Sequence, residues 1–397
     1  MRETIRLFDE PTDFSLVQGG PLFQLLLRAR LVTPSMDLLV RRIVVLSAVT
    51  WLPLLVLTLL SGHAFGGVSV PFLTDLGAHA RLLLTAPILL AADVIVHRRI
   101  RPVVGQFLER GIIAPEDQLR FGSVVASALR LRNSVIAEIL VLALSVFIGY
   151  WAGKRYLTTD VATWFATPVN GQMQYTAAGY WYHIVSLTIW RFLVARWLFR
   201  LFIWYRLLWQ ISRHVPLRLN ALHPDRAAGL GFLTGSVFAF APVMVAQSIS
   251  LSAIIGGRIW HEGASLPQFK LEIVVWMVVL VLLTLMPLFF FMTHLAQARR
   301  VGLREYGLVA SRYVAEFRMK WIEGPPPKGE VLVGSADIQS LADLANSYDV
   351  VRETSLVPFG RTMVTRLVIL VALPLSPLVL TMIPLGELID RALGLVL

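Results

Sequence analysis

The chain has 397 residues, of which 56% are hydrophobic and only 15% are charged, with a formal net charge of +11. An ordinary soluble domain carries roughly 25% charged residues, whereas the mean hydropathy here is +0.68, so the composition predicts an integral membrane protein. Cysteine is absent, which excludes disulfides, thiolate metal sites, iron–sulfur clusters and cysteine nucleophiles.

Seven charge-poor runs approach the roughly 20 residues that cross a bilayer as a helix. They predict an all-α, polytopic membrane protein with about seven transmembrane helices. The first run begins only at Ile43 and no secretory signal precedes it, so we expect this span to stay in the mature protein. Pro374, Pro377 and Pro384 interrupt the last run and predict a kink or a turn back. The runs are 43–61, 80–97, 134–152, 183–205, 230–255, 271–294 and 364–385.

The lysines and arginines fall almost entirely on one side of these runs. Of the 36, 26 lie in 1–42, 98–133, 206–230 and 298–361, whereas the three loops on the other side hold four. Because positively charged loops stay in the cytoplasm, this distribution predicts a cytoplasmic N-terminus and anionic lipids as partners at the cytoplasmic face of the lipid bilayer. Nucleic-acid binding is not predicted, because no soluble segment combines a basic groove with stacking aromatic residues.

Four regions are predicted from these patterns. They are a cytoplasmic N-terminal segment with an interfacial helix (1–42), a bundle of six spans (43–297), a cytoplasmic helical region (298–361), and the last span with the C-terminal tail (362–397).

The predicted cytoplasmic region after the sixth run contains two helices. Residues 298–323 alternate basic and apolar side chains at helical spacing and are expected to continue the sixth span. A second helix is expected over 334–351, capped by Ser335 or Asp337 and acidic through Asp343 and Asp349. This acidic helix either packs on its own basic neighbours or binds a cytoplasmic partner protein. Its predicted apolar face consists of Ile338, Leu341, Ala342, Ala345 and Tyr348, with Leu344 at the edge.

Three arginines interrupt the fourth run, at Arg191, Arg196 and Arg200. An arginine at the centre of a membrane helix costs roughly 2.5–3.5 kcal/mol on insertion scales, so it requires water or a carboxylate. Asp93 and Glu138 lie at matching depth in the second and third runs. Two interpretations stay open: ion pairs that hold the helices in register, or a watered cavity that attracts anions. Voltage sensing is less favoured, because gating helices repeat arginine at every third residue.

Small and polar residues of the fifth run are candidates for lining a path. Thr234, Ser248 and Ser252 share a narrow arc, and Gln247 lies beside it. The alternative is tight helix packing, which the GxxxG spacing of 231 and 235 also favours. We further expect a bend at Pro242.

The segment before this run, "LHPDRAAGLGFL" at 222–233, contains His223 and Asp225. A proline at the first helical turn and an aspartate beside the positive end of the helix favour a helix N-terminus. A proton or cation site formed by the two side chains is the alternative.

Three motifs, "HPDRAAGLGFL" at 223–233, "GSADIQSLADLANSYDVVRE" at 334–353 and "VPFG" at 357–360, resemble an uncharacterised family of bacterial multi-pass membrane proteins. The family pattern has a glycine pair where this chain has Ala228 and Gly229. The resemblance covers the C-terminal half, implies the bacterial inner membrane, and implies that the motifs form one structural unit. It implies no activity.

No nucleophile elbow, phosphate loop or specific metal spacing is present, so we predict no catalytic residue, metal or cofactor. The sequence favours a path for a small ion or solute, with an anion slightly preferred, in a protein that is compatible with a homo-oligomer. The alternative is a scaffold or signalling protein that binds a partner through 298–361. An enzyme acting on lipid is the third interpretation.

Overall fold

The computed structural model describes residues 14–33, 37–156, 161–325 and 329–382. Its α-helices in the first half of the chain are α1 (Pro21–Arg28), α2 (Leu39–Thr50), α3 (Leu52–Leu60), α4 (Leu76–His79), α5 (Ala86–Glu109), α6 (Gln118–Arg132) and α7 (Val135–Tyr156). In the second half they are α8 (Ala177–Trp181), α9 (Leu187–His214), α10 (Thr234–Ala239), α11 (Ala241–Glu262), α12 (Lys270–Leu285), α13 (Met292–Arg318), α14 (Ala336–Arg352) and α15 (Arg361–Ala372). Two short strands, β1 (Ala166–Val169) and β2 (Gln172–Tyr175), form a hairpin.

Within these described residues, six helical stretches are long and apolar enough to cross a membrane: Leu39–Leu60, Leu76–Glu109, Val135–Lys154, Leu230–Glu262, Leu266–Glu323 and Arg361–Met382. Their apolar side chains face outward; in Val135–Lys154 only 6% of the apolar window is buried. Apolar surface on this scale is not left to water in a soluble protein. The protein is therefore an α-helical, multi-pass membrane protein. The predicted run 183–205 lies in a continuous helix formed by α8, a π-helical turn (Tyr182–Ser186) and α9, but its arginines keep it out of the six.

The loops between the helices gather at two ends of the bundle. At one end, the 110–118 turn, the 215–229 loop and the 353–360 segment exchange backbone hydrogen bonds, for example from Arg218 N to Ile112 O at 2.7 Å and from Ser355 N to Arg226 O at 2.7 Å. We call this end the basic face, because the lysine- and arginine-rich segments lie here. At the opposite face, the 61–75 loop pairs with the 161–166 segment, where Trp164 N donates to Val70 O at 2.9 Å.

The helix α9 forms the centre of the bundle. It packs against α5, α6 and α7, and twelve of its 28 residues are buried. Trp197 and Trp204 are among the most buried, and Trp197 donates its indole N–H to Leu89 O at 2.9 Å. These two tryptophans therefore face neighbouring helices, and the buried indole of Trp197 has the hydrogen-bond acceptor that it requires on α5.

Helical irregularities follow the prolines. The stretch Leu230–Glu262 is interrupted at Phe240, two residues before Pro242. This break separates α10 from α11, as expected for the predicted bend. The last stretch changes from α15 to a 3₁₀ helix at Leu373, beside Pro374, and continues to Met382. Pro384 lies outside the described residues.

The opposite face contains the β-hairpin, which the sequence prediction did not include. Asn170 and Gly171 both have positive φ, at 52° and 77°, as a two-residue type I′ hairpin turn requires. The aromatic residues around it are not simply interfacial. Trp164 is fully buried and donates to Asp75 Oδ2 at 2.9 Å, and its ring lies 4.9 Å from those of Phe72 and Tyr182.

The helix of the predicted sixth run continues well past that run, as predicted. The segments α12 and α13 belong to one helical stretch that ends at Glu323, and α14 packs along α13. Ser335 caps α14 by accepting from Ile338 N. The predicted apolar face of α14 was partly wrong, however, because Ile338, Ala342 and Ala345 are exposed. The side that packs consists of Leu341, Leu344, Tyr348 and Val351.

Candidate functional site

Asp93 on α5 lies between two arginines inside the bundle. Its Oδ1 accepts from Arg200 Nη1 of α9 at 2.5 Å, and its Oδ2 accepts from Arg42 Nη1 of α2 at 3.2 Å. All three residues are at most 4% exposed. One carboxylate therefore ties three helices together and compensates only half of the charge that it contacts.

Glu138 on α7 forms the second contact with α9. Its Oε1 lies 3.5 Å from Arg196 Nε, and its Oε2 accepts the backbone N–H of Leu22 at 2.9 Å. The structure thus brings together four of the five residues proposed from the second, third and fourth runs, namely Asp93, Glu138, Arg196 and Arg200. Arg191 lies elsewhere, against Gly149 of α7: a Cβ at position 149 would stand 2.7 Å from Arg191 Nη1. A glycine is needed there because the guanidinium occupies the space that a side chain would take.

The N-terminal segment 14–20 closes this site from the basic face. Phe14, Leu16 and Val17 are each only 1% exposed, so the segment is part of the bundle rather than a surface extension. Ser15 Oγ bonds His97 Nδ1 at 2.9 Å, and Arg132 Nη1 donates to Ser15 O. These contacts depend on tertiary packing, which local sequence patterns do not encode.

Two further arginines, Arg132 and Arg42, belong to this site although the sequence analysis did not predict them there. Burial, with a smaller contribution from Arg200, lowers the pKa of Arg132 to about 10, so its guanidinium still carries its proton at neutral pH. Both residues lie near the ends of helices, where an arginine ordinarily reaches the headgroups, so their burial could not be predicted from their positions in the sequence. We define the arginine cluster as Arg42, Arg132, Arg196 and Arg200 with Asp93 and Glu138.

The arginine cluster has four guanidinium groups and two carboxylates, an excess of two positive charges in a buried site. Its donors are not all used: Arg42 Nε and Nη2 and Arg200 Nη2 are buried and have no hydrogen-bond partner among the described residues. A cavity of about 20 Å³ lies among Arg132, Glu138, Arg196 and Arg200, beside Gly19 and Gly20. A space of this size holds about one water molecule or a similarly small ion.

The candidate lining residues of the fifth run do not share one cavity. Thr234 lines a cleft at the basic face, Ser252 lines an apolar groove near the opposite face, and Ser248 is fully buried between them with an unpaired Oγ. Gln247 is half-buried. Thr234 and Ser252 therefore line two different cavities. The GxxxG interpretation was wrong for Gly231, because a Cβ there would meet Asp225 Oδ2 at 2.8 Å rather than another helix.

Asp225 organises the segment that leads into the fifth span. Its Oδ1 accepts from Ala227 N at 2.8 Å and Gly229 N at 3.1 Å, and its Oδ2 accepts from Gly231 N at 2.8 Å. Partial burial would raise the pKa of Asp225, but these three donors and the nearby His223 outweigh it and lower the pKa below its usual value. His223 Nδ1 lies 2.9 Å from Asp225 Oδ1. These bonds hold a turn over 225–231 that leads into the helix at Leu230, whose N-cap residue is Gly229. The expected first helical turn at Pro224 and Asp225 is therefore wrong, because both residues lie in the turn before the helix.

The motifs of the proposed structural unit contact each other, as expected. Thr354 Oγ1 donates to Ala221 O at 3.0 Å, and Arg226 pairs with Glu353 at 2.8 Å. Asp337 accepts from Lys320 Nζ at 2.9 Å and Trp321 Nε1 at 2.8 Å, which ties the start of α14 to the end of the α13 helix. Asp343 is exposed and bonds only within α14, to Gln339 at 3.1 Å and Ser347 at 2.8 Å.

Metal-ligating side chains do not cluster: in the described part of the chain, no group of three or more His, Cys, Asp or Glu could hold a metal ion. The chain matches no known protein-family model, and comparisons with curated proteins and with solved structures found no match either. The resemblance to a bacterial family therefore stays an expectation, and a function has to be argued from the arginine cluster itself.

Proposed function

We propose that this protein binds a small anion at the arginine cluster and carries it across the membrane. The observation that supports the proposal is the excess of two positive charges in a buried site whose guanidinium donors are partly unused. If ion pairing between helices were the whole purpose of the cluster, equal numbers of acids and bases would suffice. Buried donors without partners are costly. Arg200, whose Nη2 is one of these donors, lines the cavity, so an anion bound there would satisfy it.

The size of the site indicates how such an anion would move. The cavity of about 20 Å³ is enclosed by α7, α9 and the 14–20 segment and has room for about one small ion. An open pore requires a continuous watered path, so we propose binding and release of single ions, as in a transporter. The chloride ion is the simplest probe, because it is a small, monatomic anion.

The change Arg196→Gln is expected to lower chloride flux about tenfold, since the loss of one favourable charge near the ion corresponds to roughly 1.4 kcal/mol of binding. Arg196 lines the cavity and is 9% exposed. The measurement is chloride efflux from proteoliposomes that contain the purified protein, compared with empty vesicles.

Two variants control this experiment. Arg196→Lys keeps the charge and should retain more flux than Arg196→Gln, while Arg312→Gln removes an exposed arginine of α13 and should leave the flux unchanged. If folded wild-type protein shows no flux of chloride, potassium or protons, the transport proposal is wrong.

A scaffold is the second candidate, and it is favoured by one surface. Beyond the apolar layer, α13 and its continuation expose Val301, Leu308 and Ile322, with Ala315 at the same seven-residue spacing. Such spacing is typical of a helix that pairs with another helix. A second copy of the chain or a cytoplasmic partner protein would cover this stripe. Crosslinking at Leu308 would then recover that partner even if the protein shows no ion flux.

We further propose that the basic face lies in the cytoplasm and that the membrane is the bacterial inner membrane. Because the chain has no cysteine, single cysteines can report its orientation. We expect Ser265→Cys at the opposite face to react with a membrane-impermeant maleimide in intact spheroplasts, and Ser340→Cys on α14 to react only after permeabilisation. Both serines are exposed. The reverse labelling pattern would contradict this orientation.

A further inference from the structure

Two adjoining cavities form a continuous cleft on the basic face, which we call the boundary cleft. The first has a volume of about 630 Å³ and lies between the 225–234 segment and the 353–360 segment. The second has a volume of about 500 Å³ and runs along the first turns of α15. They share Val357, Phe359 and Gly360, so a single elongated molecule can occupy both.

The two parts of the boundary cleft differ in chemistry. The first part is lined by four charged side chains, namely Arg110, Asp225, Arg226 and Glu353. The second is lined by Val364, Val368 and Ile369 of α15, with Arg361 at its start. Val368 and Ile369 are 39% and 58% exposed. The cleft therefore changes from polar to apolar along its length, as a ligand with a charged head and a hydrocarbon tail requires.

The position of the cleft matches the boundary of the apolar layer. The stretches that begin at Leu230 and Arg361 start beside the cleft, and α5 reaches it with Arg110 after continuing past its own apolar run. Two stretches thus enter the apolar layer beside the cleft. The charged part lies at headgroup level, and the apolar part extends along α15 toward the acyl chains.

The described side chains that line the cleft carry an excess of one positive charge, from three arginines (Arg110, Arg226, Arg361) and two carboxylates (Asp225, Glu353). Arg226 is neutralised by Glu353, which lies 2.8 Å away. Arg110 stands with its guanidinium carbon 5.2 Å from the Phe232 ring, and neither Arg110 nor Arg361 forms an ion pair with any described residue. We propose that the boundary cleft binds one anionic phospholipid, with its phosphate near Arg110 and Arg361 and one acyl chain along α15.

The test is native mass spectrometry of the full chain in neutral detergent, titrated with phosphatidylglycerol, phosphatidylcholine or soluble glycerol phosphate. We expect one phosphatidylglycerol to be retained more tightly than phosphatidylcholine. Each arginine near an anionic lipid surface contributes about 1 kcal/mol, so Arg110→Gln and Arg361→Gln should each weaken phosphatidylglycerol binding roughly fivefold, and the double variant roughly 25-fold. Arg312→Gln is the matched control, because it removes an exposed arginine outside the cleft.

The proposal is overturned if phosphatidylcholine binds as tightly as phosphatidylglycerol, or if the double variant binds phosphatidylglycerol like Arg312→Gln. Equal competition by glycerol phosphate would also overturn it, because the acyl groove would then contribute nothing. Both replaced arginines are exposed, so the melting temperature should stay unchanged and serves as the folding control. Neither residue belongs to the arginine cluster, so failure here leaves the transport proposal standing, and loss of flux leaves this one standing.

Discussion

Replacing Asp93 by asparagine is expected to destabilise the folded protein by about 3–5 kcal/mol, the range found when one partner of a buried ion pair is removed. Asp93 is 4% exposed and is the carboxylate bonded to both Arg42 and Arg200, at 3.2 Å and 2.5 Å. Asparagine can still accept a hydrogen bond but leaves two guanidinium charges uncompensated inside the bundle. The measurement is the free energy of unfolding in detergent micelles, followed by circular dichroism against denaturant.

The charge explanation for Asp93 is tested by a double replacement. Arg200→Gln together with Asp93→Asn removes one of the stranded charges, so the pair should cost less than the sum of the two single changes. Asp343→Asn serves as the control, because Asp343 is exposed on α14 and bonds only within that helix. If Asp93→Asn were no more destabilising than Asp343→Asn, the negative charge of Asp93 would not be what holds α2, α5 and α9 together.

The contacts of α9 show which part of the candidate site was accessible from the sequence. Helical depth alone suggested that Arg196 and Arg200 would meet Asp93 and Glu138, and the structure has Arg200 with Asp93 and Arg196 with Glu138. A charge at mid-depth in a membrane helix has few possible ion-pair partners, so depth is enough to predict the pairing. Arg42 and Arg132 gave no such signal, since an arginine at a helix end is normally satisfied by water and headgroups.

The β-hairpin and the packed face of α14 were not predicted, for two separate physical reasons. The Asn170–Gly171 pair is a strong hairpin signal, but the strands on either side have only four residues each, which is the lower limit for recognising an alternating pattern. In α14, the position of the packed face is set by Gly302 and Gly307 of α13, where the close approach brings Val351 and Tyr348 into contact. Such a rotation about the helix axis depends on the partner surface, which the hydrophobic pattern of α14 alone does not contain.

Replacing Asp225 by alanine is expected to destabilise the fold by roughly 3 kcal/mol, because hydrogen bonds to a charged group contribute about 1.5–3 kcal/mol each and their loss is partly offset by water. The three backbone donors at 227, 229 and 231 lose their shared acceptor. Arg226 and Ala228 both have φ of 53°, a left-handed conformation that non-glycine residues rarely adopt. The carboxylate stabilises this strained turn, so its removal should loosen the start of the fifth span and the contact with 353–355.

The pH dependence gives this prediction its second measurement. The folded-state pKa of Asp225 is lowered, so its contribution to stability is fully present above the ordinary aspartate value and is lost as the pH falls through the folded value. Wild-type protein should therefore lose this increment on acidification below about pH 4, whereas Asp225→Ala should not show that part of the loss. Asp225→Asn, which retains an acceptor for some of the donors, should fall between the two at neutral pH, and Asp349→Ala, at an exposed position of α14, should resemble wild type. An Asp225→Ala protein with unchanged stability at neutral pH would mean that water satisfies the three donors, and that the turn is held by its contacts with Thr354 and Ser355 instead.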